Sequence, residues 1–343
     1  MRRAFLANRG FAGAVLMFAV LFVVYQSMHP RGFSTAVFVQ NANETVAIAF
    51  VAMAQTVPVL MGGLDLSVGA VMTLANCIAS ELVNGSPLQI LFGCFVTVLA
   101  GTAFGLMNGL IVVLGRIQPI IATLATGAIA IGLALTIRPS PGGDIDDDLN
   151  WAITNTVFDF AETYGLADDG NAAWLAPFAN IPVPLILLLV IGLAVWLPFK
   201  RTVTGRTIYA VGSAEGAAFM SGLPIARAKI AAFTLAGFFA SCGGLYLAIQ
   251  TSSGNADVTQ AGAYTLNSIA AVVLGGTSLM GGIGGVVGSM IGACILRVFS
   301  FYFRILSIDP LLQPLIEGMV LLAAVSLGAI KTLRVRNTLE LFR

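Results

Sequence analysis

Long apolar runs separated by short polar segments dominate the chain. A helix needs about 20 mostly apolar residues to cross a bilayer core. Ten runs approach this length, and we predict a membrane-spanning helix in each. They cover about 11–28, 44–61, 66–83, 88–114, 117–137, 181–199, 230–250, 263–280, 283–303 and 311–330. Membrane β-strands would be short and alternating, so the pattern predicts an all-α membrane protein of about ten helices.

The composition supports this fold class. Of the 343 residues, 58% are hydrophobic and 10% are charged, whereas a soluble domain carries about 25% charged residues. The net charge is +1 without a basic run, so we expect no nucleic-acid partner. The four cysteines lie singly in apolar runs and His29 is the only histidine, so we expect no metal site. Residues 1–343 are interpreted as one transmembrane domain whose first apolar run is retained, because no signal-peptide cleavage site follows it.

Basic residues predict the orientation. Cytoplasmic loops of membrane proteins are enriched in lysine and arginine. With ten spans and a cytoplasmic N-terminus, 13 of the 17 basic residues fall on the cytoplasmic side. The N-terminus and the C-terminus are therefore both predicted to be cytoplasmic.

Two long polar segments interrupt the spans. Residues 138–180 carry 8 of the chain's 16 acidic residues and one arginine. We therefore predict an acidic extracytoplasmic loop there, with a short surface helix in ITNTVFDFAETYGL. Residues 200–229 are basic and are predicted to form a cytoplasmic loop.

Within the cytoplasmic segment, SAEGAAFMSGLP predicts a short helix. Ser213 is a suitable N-cap, Glu215 suits the first turn, and Gly222 is a suitable end. This helix is either an amphipathic helix on the membrane surface or one that inserts its small face into a cleft on a soluble partner. By themselves the residues favour the surface helix. The small face consists of Ala217, Ala218 and Ser221.

The chain shows no means of its own to use ATP. A phosphate-binding loop places a lysine directly after a glycine, and none of the three lysines follows a glycine. Few ionisable residues lie in the apolar runs, which weakens the case for an ion-coupled carrier. A single histidine and the lack of hydrolase motifs make an enzyme the least supported class.

Two glycine-rich stretches share a pattern. MGGLDLSVG at 61–69 and LGGTSLMGG at 274–282 have two glycines, a leucine and a further glycine at equal spacing, either as a true repeat or by chance. We predict that both form junctions between helices. The glycines concerned are Gly62, Gly63, Gly69, Gly275, Gly276, Gly281 and Gly282.

Asp65 lies within the first glycine-rich stretch. It is either a charge at the cytoplasmic exit of a transport path or, with Ser67, a cap for the following helix. Since unpaired backbone groups are costly in a membrane, the cap is favoured.

Four segments, in order, resemble the permease subunits of bacterial ABC importers for monosaccharides, the ribose-type group. GGLDLSVGA is similar to the DLSVG signature of that group, and FGLMNGLIVVLGRIQPIIATLATG resembles its next two spans. GRTIYAVGSAEGAAFMSGLP is similar to the loop that docks on the ATPase. LNSIAAVVLGGTSLMGGIGG is similar to the most characteristic segment. The loop at 138–180 is longer and more acidic than is usual in the group.

The resemblance implies a subunit of an ATP-driven importer for a monosaccharide or related polyol in the bacterial inner membrane. Its partners would be a second permease copy or paralogue, cytoplasmic ATP-binding subunits, a periplasmic solute-binding protein and the lipid bilayer. This chain would hold no cofactor and would not be an enzyme, because ATP and Mg would bind to the ATPase. The implied docking residues are Gly205, Arg206, Gly212, Ser213, Glu215, Ala217, Ala218, Ser221 and Gly222.

A path for a neutral sugar requires moderately polar groups. Candidates for the path or its gate are Asp65, Ser67, Asn76, Asn108, Gln118, Asn267 and Ser268, with Gln55 and Thr123 as further polar positions. Each of these side chains could equally form an interhelical hydrogen bond. The alternatives are a nucleoside or branched-chain amino acid ABC permease and, in a different class, a self-contained secondary carrier.

Overall fold

The computed structural model describes residues 9–32, 34–166 and 175–309, with six further positions between 312 and 322. These residues form helices and loops, and the only β-structure among them is two isolated bridges. The helices are α1 (Arg9–Met28), α2 (Thr35–Leu60), α3 (Val68–Leu82), α4 (Pro87–Leu114), α5 (Pro119–Ile137), α6 (Asp147–Thr154), α7 (Val157–Thr163), α8 (Val183–Arg201), α9 (Val203–Met220), α10 (Ile225–Thr251), α11 (Val258–Leu274) and α12 (Val286–Ile305).

Seven of these helices, α1, α2, α4, α5, α8, α10 and α12, are long and apolar enough to cross a membrane. Helices α3 and α11 are also apolar but have only 15 and 17 residues. The seven long helices together with α3 and α11 match nine of the ten predicted spans. The tenth, 311–330, lies almost entirely outside the described residues, so the count of ten stays a prediction.

The predicted bounds of two spans were wrong. Helix α2 begins at Thr35 rather than near residue 44, because Ser34 caps it by accepting a hydrogen bond from Val37 N. The polar residues before the apolar run therefore belong to the helix. Helix α11 ends at Leu274 rather than near residue 280, where the glycine-rich stretch begins.

The described residues of the segment 138–180 form two short helices: α7 lies within the stretch predicted to be helical, and α6 was not predicted. Asp146 accepts a hydrogen bond from Leu149 N at 2.9 Å and caps α6. Asp159 accepts from Thr156 N, also at 2.9 Å, and forms the capping box of α7. Two of the acidic residues in this loop therefore act in local structure, since a carboxylate at a helix start satisfies free N–H groups.

Helix α2 is the centre of the molecule. All of its residues from Thr45 to Leu60 are buried, and α3, α8, α10, α11 and α12 pack around it. Helices α1, α4, α5 and α8 keep large exposed apolar surfaces. The apolar helices thus either lie inside the bundle, as α2 does, or expose apolar surface at its outside. Both are expected when lipid surrounds the protein.

Helices α4 and α10 meet along glycines. Gly101, Gly105 and Gly109 are spaced four residues apart and form one face of α4. A Cβ at Gly105 would lie 2.3 Å from the carbonyl oxygen of Phe233, and a Cβ at Gly237 would lie 2.2 Å from that of Gly101. Small residues at this spacing let two helix backbones touch, which favours association in a membrane. This glycine repeat was not predicted as a helix contact, although its spacing is visible in the sequence.

We expect Gly105→Ala to destabilise the protein because its methyl group has no space between α4 and α10. Gly132→Ala is the matched control, since a Cβ there meets nothing within 4 Å and alanine favours a helix by about 1 kcal/mol over glycine. Thermal unfolding in detergent measures both. Equal midpoints for the two variants would contradict the close α4–α10 contact.

Candidate functional site at the glycine junctions

The α2–α3 junction, residues 61–67, is a tight turn at the end of the central helix. Gly62 has a φ of +77°, a conformation that favours glycine. Asp65 follows and is only 2% exposed. Burial penalises a carboxylate unless polar groups surround it, and within the described residues Asp65 forms no ion pair. Its partners must therefore be neutral donors.

Those donors belong to Ser67, the N-cap residue of α3. Asp65 Oδ1 accepts hydrogen bonds from Ser67 N at 2.9 Å and Ser67 Oγ at 2.6 Å. Ser67 Oγ in turn accepts from Asn108 Nδ2 of α4 at 2.8 Å. Asp65 thus bonds to the N-cap residue itself. Within the described residues neither the Asp65 nor the Ser67 side chain accepts a hydrogen bond from the first turn of α3, so the predicted cap is wrong.

Side chains of two other helices take up further N–H groups at this break. Thr123 Oγ1 of α5 accepts from Leu66 N at 2.9 Å, and Thr265 Oγ1 of α11 accepts from Gly69 N at 3.1 Å. A Cβ at Gly69 would lie 2.0 Å from the carbonyl oxygen of Ala261. Because backbone groups inside a membrane protein need internal partners, these contacts fix the start of α3 against α4, α5 and α11.

The second glycine junction, residues 275–285 between α11 and α12, touches the first. Gly282 N donates a hydrogen bond to the carbonyl oxygen of Leu60, the last residue of α2, at 2.9 Å. Gly281 has a φ of +85°, and a Cβ on it would lie 2.8 Å from Gly62 N. The two stretches that share a sequence pattern are therefore in direct backbone contact.

Helix α9, from the predicted cytoplasmic loop, packs against both junctions. A Cβ at Gly212 would lie 1.9 Å from the carbonyl oxygen of Leu60 and 2.4 Å from Gly282 N. Tyr209 Oη donates to the carbonyl oxygen of Gly284 at 3.0 Å. Burial raises the pKa of Tyr209 to about 12, so this hydroxyl, which is protonated at neutral pH in any case, remains a donor at alkaline pH as well. One polar helix thus contacts both helix breaks.

The start of α9 is a tight turn that leaves Arg206 exposed. Thr202 caps the helix by accepting from Gly205 N at 3.0 Å. A Cβ at Gly205 would lie 2.2 Å from the carbonyl oxygen of Phe199, so the turn from α8 requires a residue without a side chain.

Helix α9 breaks at Ala214, which has a φ of −165° and a ψ of 97°. The predicted N-cap role of Ser213 is wrong, because Ser213 Oγ donates to the carbonyl oxygen of Tyr209 at 2.9 Å and belongs to the segment before the break. After the break, Glu215 forms an ion pair with Lys229 of α10 at 2.6 Å. This pair holds the last turns of α9 against the base of α10.

Gly222 ends α9 as predicted. It has a φ of +72°, and the N–H groups of Gly222 and Leu223 donate to the carbonyl oxygens of Phe219 and Ala218 at 2.9 and 3.2 Å. These bonds form the usual glycine-terminated helix end.

The surface that this end exposes differs from the predicted small face. Ala217 and Ser221 are exposed, but Ala218 is only 4% exposed and is buried within this chain, so it is not available to a partner. The large apolar residues Phe219 and Met220 are instead 72% and 85% exposed.

The polar path candidates are not gathered in one place. Asn76 Nδ2 donates to the carbonyl oxygen of Ser253, and its Oδ1 accepts from Asn255 N, so Asn76 holds the α10–α11 turn. Ser268 Oγ donates to the carbonyl oxygen of Thr265. Gln118 is exposed before α5, and Asn267 is partly buried on α11. Asp65, Ser67 and Asn108 are the candidates that meet, together with Thr123 and Thr265.

Gln55 is an exception among the buried polar residues. It is fully buried in α2, and neither atom of its amide has a hydrogen-bond partner within the described residues. Asn76, Asn108 and Thr123 bond to another segment of the chain, in agreement with the structural alternative for these residues, whereas Ser268 bonds within its own helix.

Comparison with known proteins assigns this chain of apolar helices and broken junctions to a family. The family model for the branched-chain amino acid transport system / permease component matches residues 37–325. The chain is thus a multi-pass membrane protein, and it belongs to this family of transport permeases.

Its relatives include several sugar permeases. A ribose import permease protein of Haemophilus influenzae is 32% identical, and the match covers 94% of this chain and 93% of that protein. A ribose import permease protein of Bacillus subtilis is 33% identical over 93% of each chain. A D-allose transport system permease protein of Escherichia coli is 29% identical over 92% of this chain and 90% of that protein. The predicted resemblance to ribose-type permeases is confirmed. No solved structure gives a significant match.

We expect Asp65→Ala to destabilise the protein by about 1–3 kcal/mol, the usual cost of leaving buried donors without an acceptor. Asp65→Asn retains one acceptor oxygen for Ser67 and should cost less. Thermal unfolding in detergent, with transport measured in parallel, compares the two variants. If Asp65→Asn is as damaging as Asp65→Ala, the charge itself is required and the fastening role is wrong.

Proposed function

We propose that this chain is the permease subunit of an ATP-driven importer that moves a monosaccharide or a related polyol across the bacterial inner membrane. The observation that carries the proposal is the contact of α9 with both glycine junctions. An exposed helix that contacts two helix breaks is suited to pass a movement from a soluble partner to the transport path. The similarity to permeases named for ribose and allose supports the substrate class.

The proposed topology has ten spans, with both termini, the glycine junctions and α9 on the cytoplasmic side. The 200–229 loop is the ATPase-docking loop, and the 138–180 loop is extracytoplasmic. The excess of basic residues on the α9 side supports this orientation. Helices α1–α5, α8 and α10–α12 supply nine of the ten spans.

The energy source is proposed to be a separate subunit. ATP and Mg bind there, and this chain contributes the docking surface but no catalytic group. A second permease copy or paralogue completes the transport unit, and a periplasmic solute-binding protein delivers the sugar. Because the solute-binding protein delivers the sugar, the path through the permease needs only moderately polar groups. The few ionisable residues in the spans agree with this.

A branched-chain amino acid or nucleoside substrate is less well supported, because the relatives described above are named for sugars. A secondary carrier would be independent of ATP, and the family relationship does not favour it.

We expect proteoliposomes that contain this chain, its ATPase subunits and its solute-binding protein to take up D-ribose, D-allose or D-fructose only when ATP is hydrolysed. The permease alone, with an ion gradient imposed, should take up none. A non-hydrolysable ATP analogue is the control. Gradient-driven uptake by the permease alone would replace this proposal with the secondary carrier.

We expect the double substitution Phe219→Ala and Met220→Ala to weaken binding of the ATPase. Truncating anchors at the centre of an interface costs more than about 1 kcal/mol each, and about 1.4 kcal/mol is tenfold in affinity. Co-purification of the ATPase measures the effect. Val203→Ala, another exposed apolar residue in α9, is the matched control. Equal loss in both variants would show that the end of α9 is not a specific docking surface.

Gly212→Ala distinguishes docking from transmission. Its methyl group would collide with Leu60 and Gly282, well away from Phe219 and Met220. The ATPase should still bind, while uptake per ATP hydrolysed falls. Gly216→Ala is the control, because a Cβ at Gly216 meets nothing within 4 Å.

A further inference from the structure

A cavity of about 450 Å³ lies at the end of α2 opposite the glycine junctions. Its walls are the first turns of α2, the link between α6 and α7, and the C-terminal end of α10. Glu44 on its wall and Leu60 at the junction are 16 residues apart, which is about 24 Å along a helix. The cavity and the junctions thus occupy opposite ends of the same buried helix.

The lining is unusually rich in neutral polar groups for an apolar protein. The described lining residues comprise four side-chain amides, three threonines and one acidic residue, Glu44, with no basic residue among them. Amides and hydroxyls both donate and accept hydrogen bonds. Such a lining suits a neutral molecule that carries many hydroxyl groups, whereas an ion would require lining side chains of opposite charge.

Two arginines of α12 already balance the charge of Glu44. Arg304 of α12 donates to both of its carboxylate oxygens, at 2.8 and 2.6 Å, and Arg297 lies 3.2 Å from one of them. A carboxylate held by two guanidinium groups attracts a further cation only weakly. Glu44 was missed as a candidate in the sequence analysis, because the predicted second span started at this residue.

Two kinds of amide line the cavity. Asn43 is fixed, since it donates to the carbonyl oxygen of Thr154 and accepts from Tyr246 Oη, both at 2.5 Å. Gln40 has a single long bond, 3.4 Å from Nε2 to Glu44 Oε1. The amide of Gln250 forms no hydrogen bond among the described residues. Gln40 on α2 and Gln250 on α10 therefore present free donors and acceptors to the cavity.

We propose that this cavity is an outer binding site for a neutral polyol of monosaccharide size, occupied before the molecule enters the transport path. This inference rests on the proposed function, from which it takes the side of the membrane and the substrate class. Its volume falls within the usual range for small-molecule sites, about 300–1,000 Å³. Gln40 and Gln250 would bind the hydroxyl groups, and Asn43 would position the wall between them.

Protection of a cysteine from modification tests the site on the full-length permease in lipid nanodiscs, without the ATPase. Thr35→Cys places a thiol on the cavity wall, and Asp148→Cys places one on the exposed surface of α6 as a control. D-ribose, D-allose or D-fructose should slow maleimide labelling of residue 35 only. At about three times the dissociation constant, the rate should fall about fourfold by mass action.

Two further substitutions identify the groups that bind. Gln40→Met with Gln250→Met, in the Thr35→Cys background, retains side-chain length but removes the amides, so protection should be lost. Gln260→Met, an exposed glutamine at the start of α11, should leave protection unchanged. Unfolding midpoints show whether each variant is intact, and the single Gln250→Met variant replaces the double one if that is unstable.

No protection with any of the three sugars, or equal protection after both methionine substitutions, would overturn the site. Labelling of residue 35 by an impermeant maleimide should occur from outside the cell, and labelling only after lysis would also overturn it. Because no ATPase is present, the result is independent of the uptake assay. An unprotected cavity with normal ATP-driven uptake would reject this site and retain the proposed function.

Discussion

The peptide groups freed by the break between α2 and α3 impose the main constraint on this protein. In a membrane they cannot bond to water, so each must find a partner within the protein. Asp65 and Ser67 bond to each other, and Thr123 and Thr265 accept N–H groups from neighbouring residues. Thr123 belongs to α5 and Thr265 to α11, so these two hydrogen bonds fasten the start of α3 to both helices.

The same constraint explains why the second junction and α9 lie where they do. The carbonyl oxygen of Leu60 at the end of α2 bonds to Gly282 N, and Gly212 lies against both. Contacts between backbones have no flexible side chain to absorb a shift. In the proposed function, a displacement of α9 would reach both junctions through these contacts.

The other end of α2 has a different character. Neutral amides face a cavity there, and a paired carboxylate separates them from α12. The central helix thus joins a polar region on one side to a glycine-rich junction on the other. Selectivity for a neutral solute and control of its release can then be located at separate ends of one buried element.

The sequence by itself determined the apolar helices and their order, because a long apolar run satisfies its backbone groups in lipid as a helix, and its resemblance to known permeases indicated the class. It also determined the glycine end of α9 at Gly222, since the local conformation there requires glycine. Tertiary structure alone decided the role of Ser213, the burial of Ala218 and the pairing of Glu44 with Arg304. These depend on neighbours more than 10 residues away or on a break that local propensity does not encode. The contact between the two glycine junctions is of the same kind: the similar residues are visible in the sequence, but only packing around α2 brings them together.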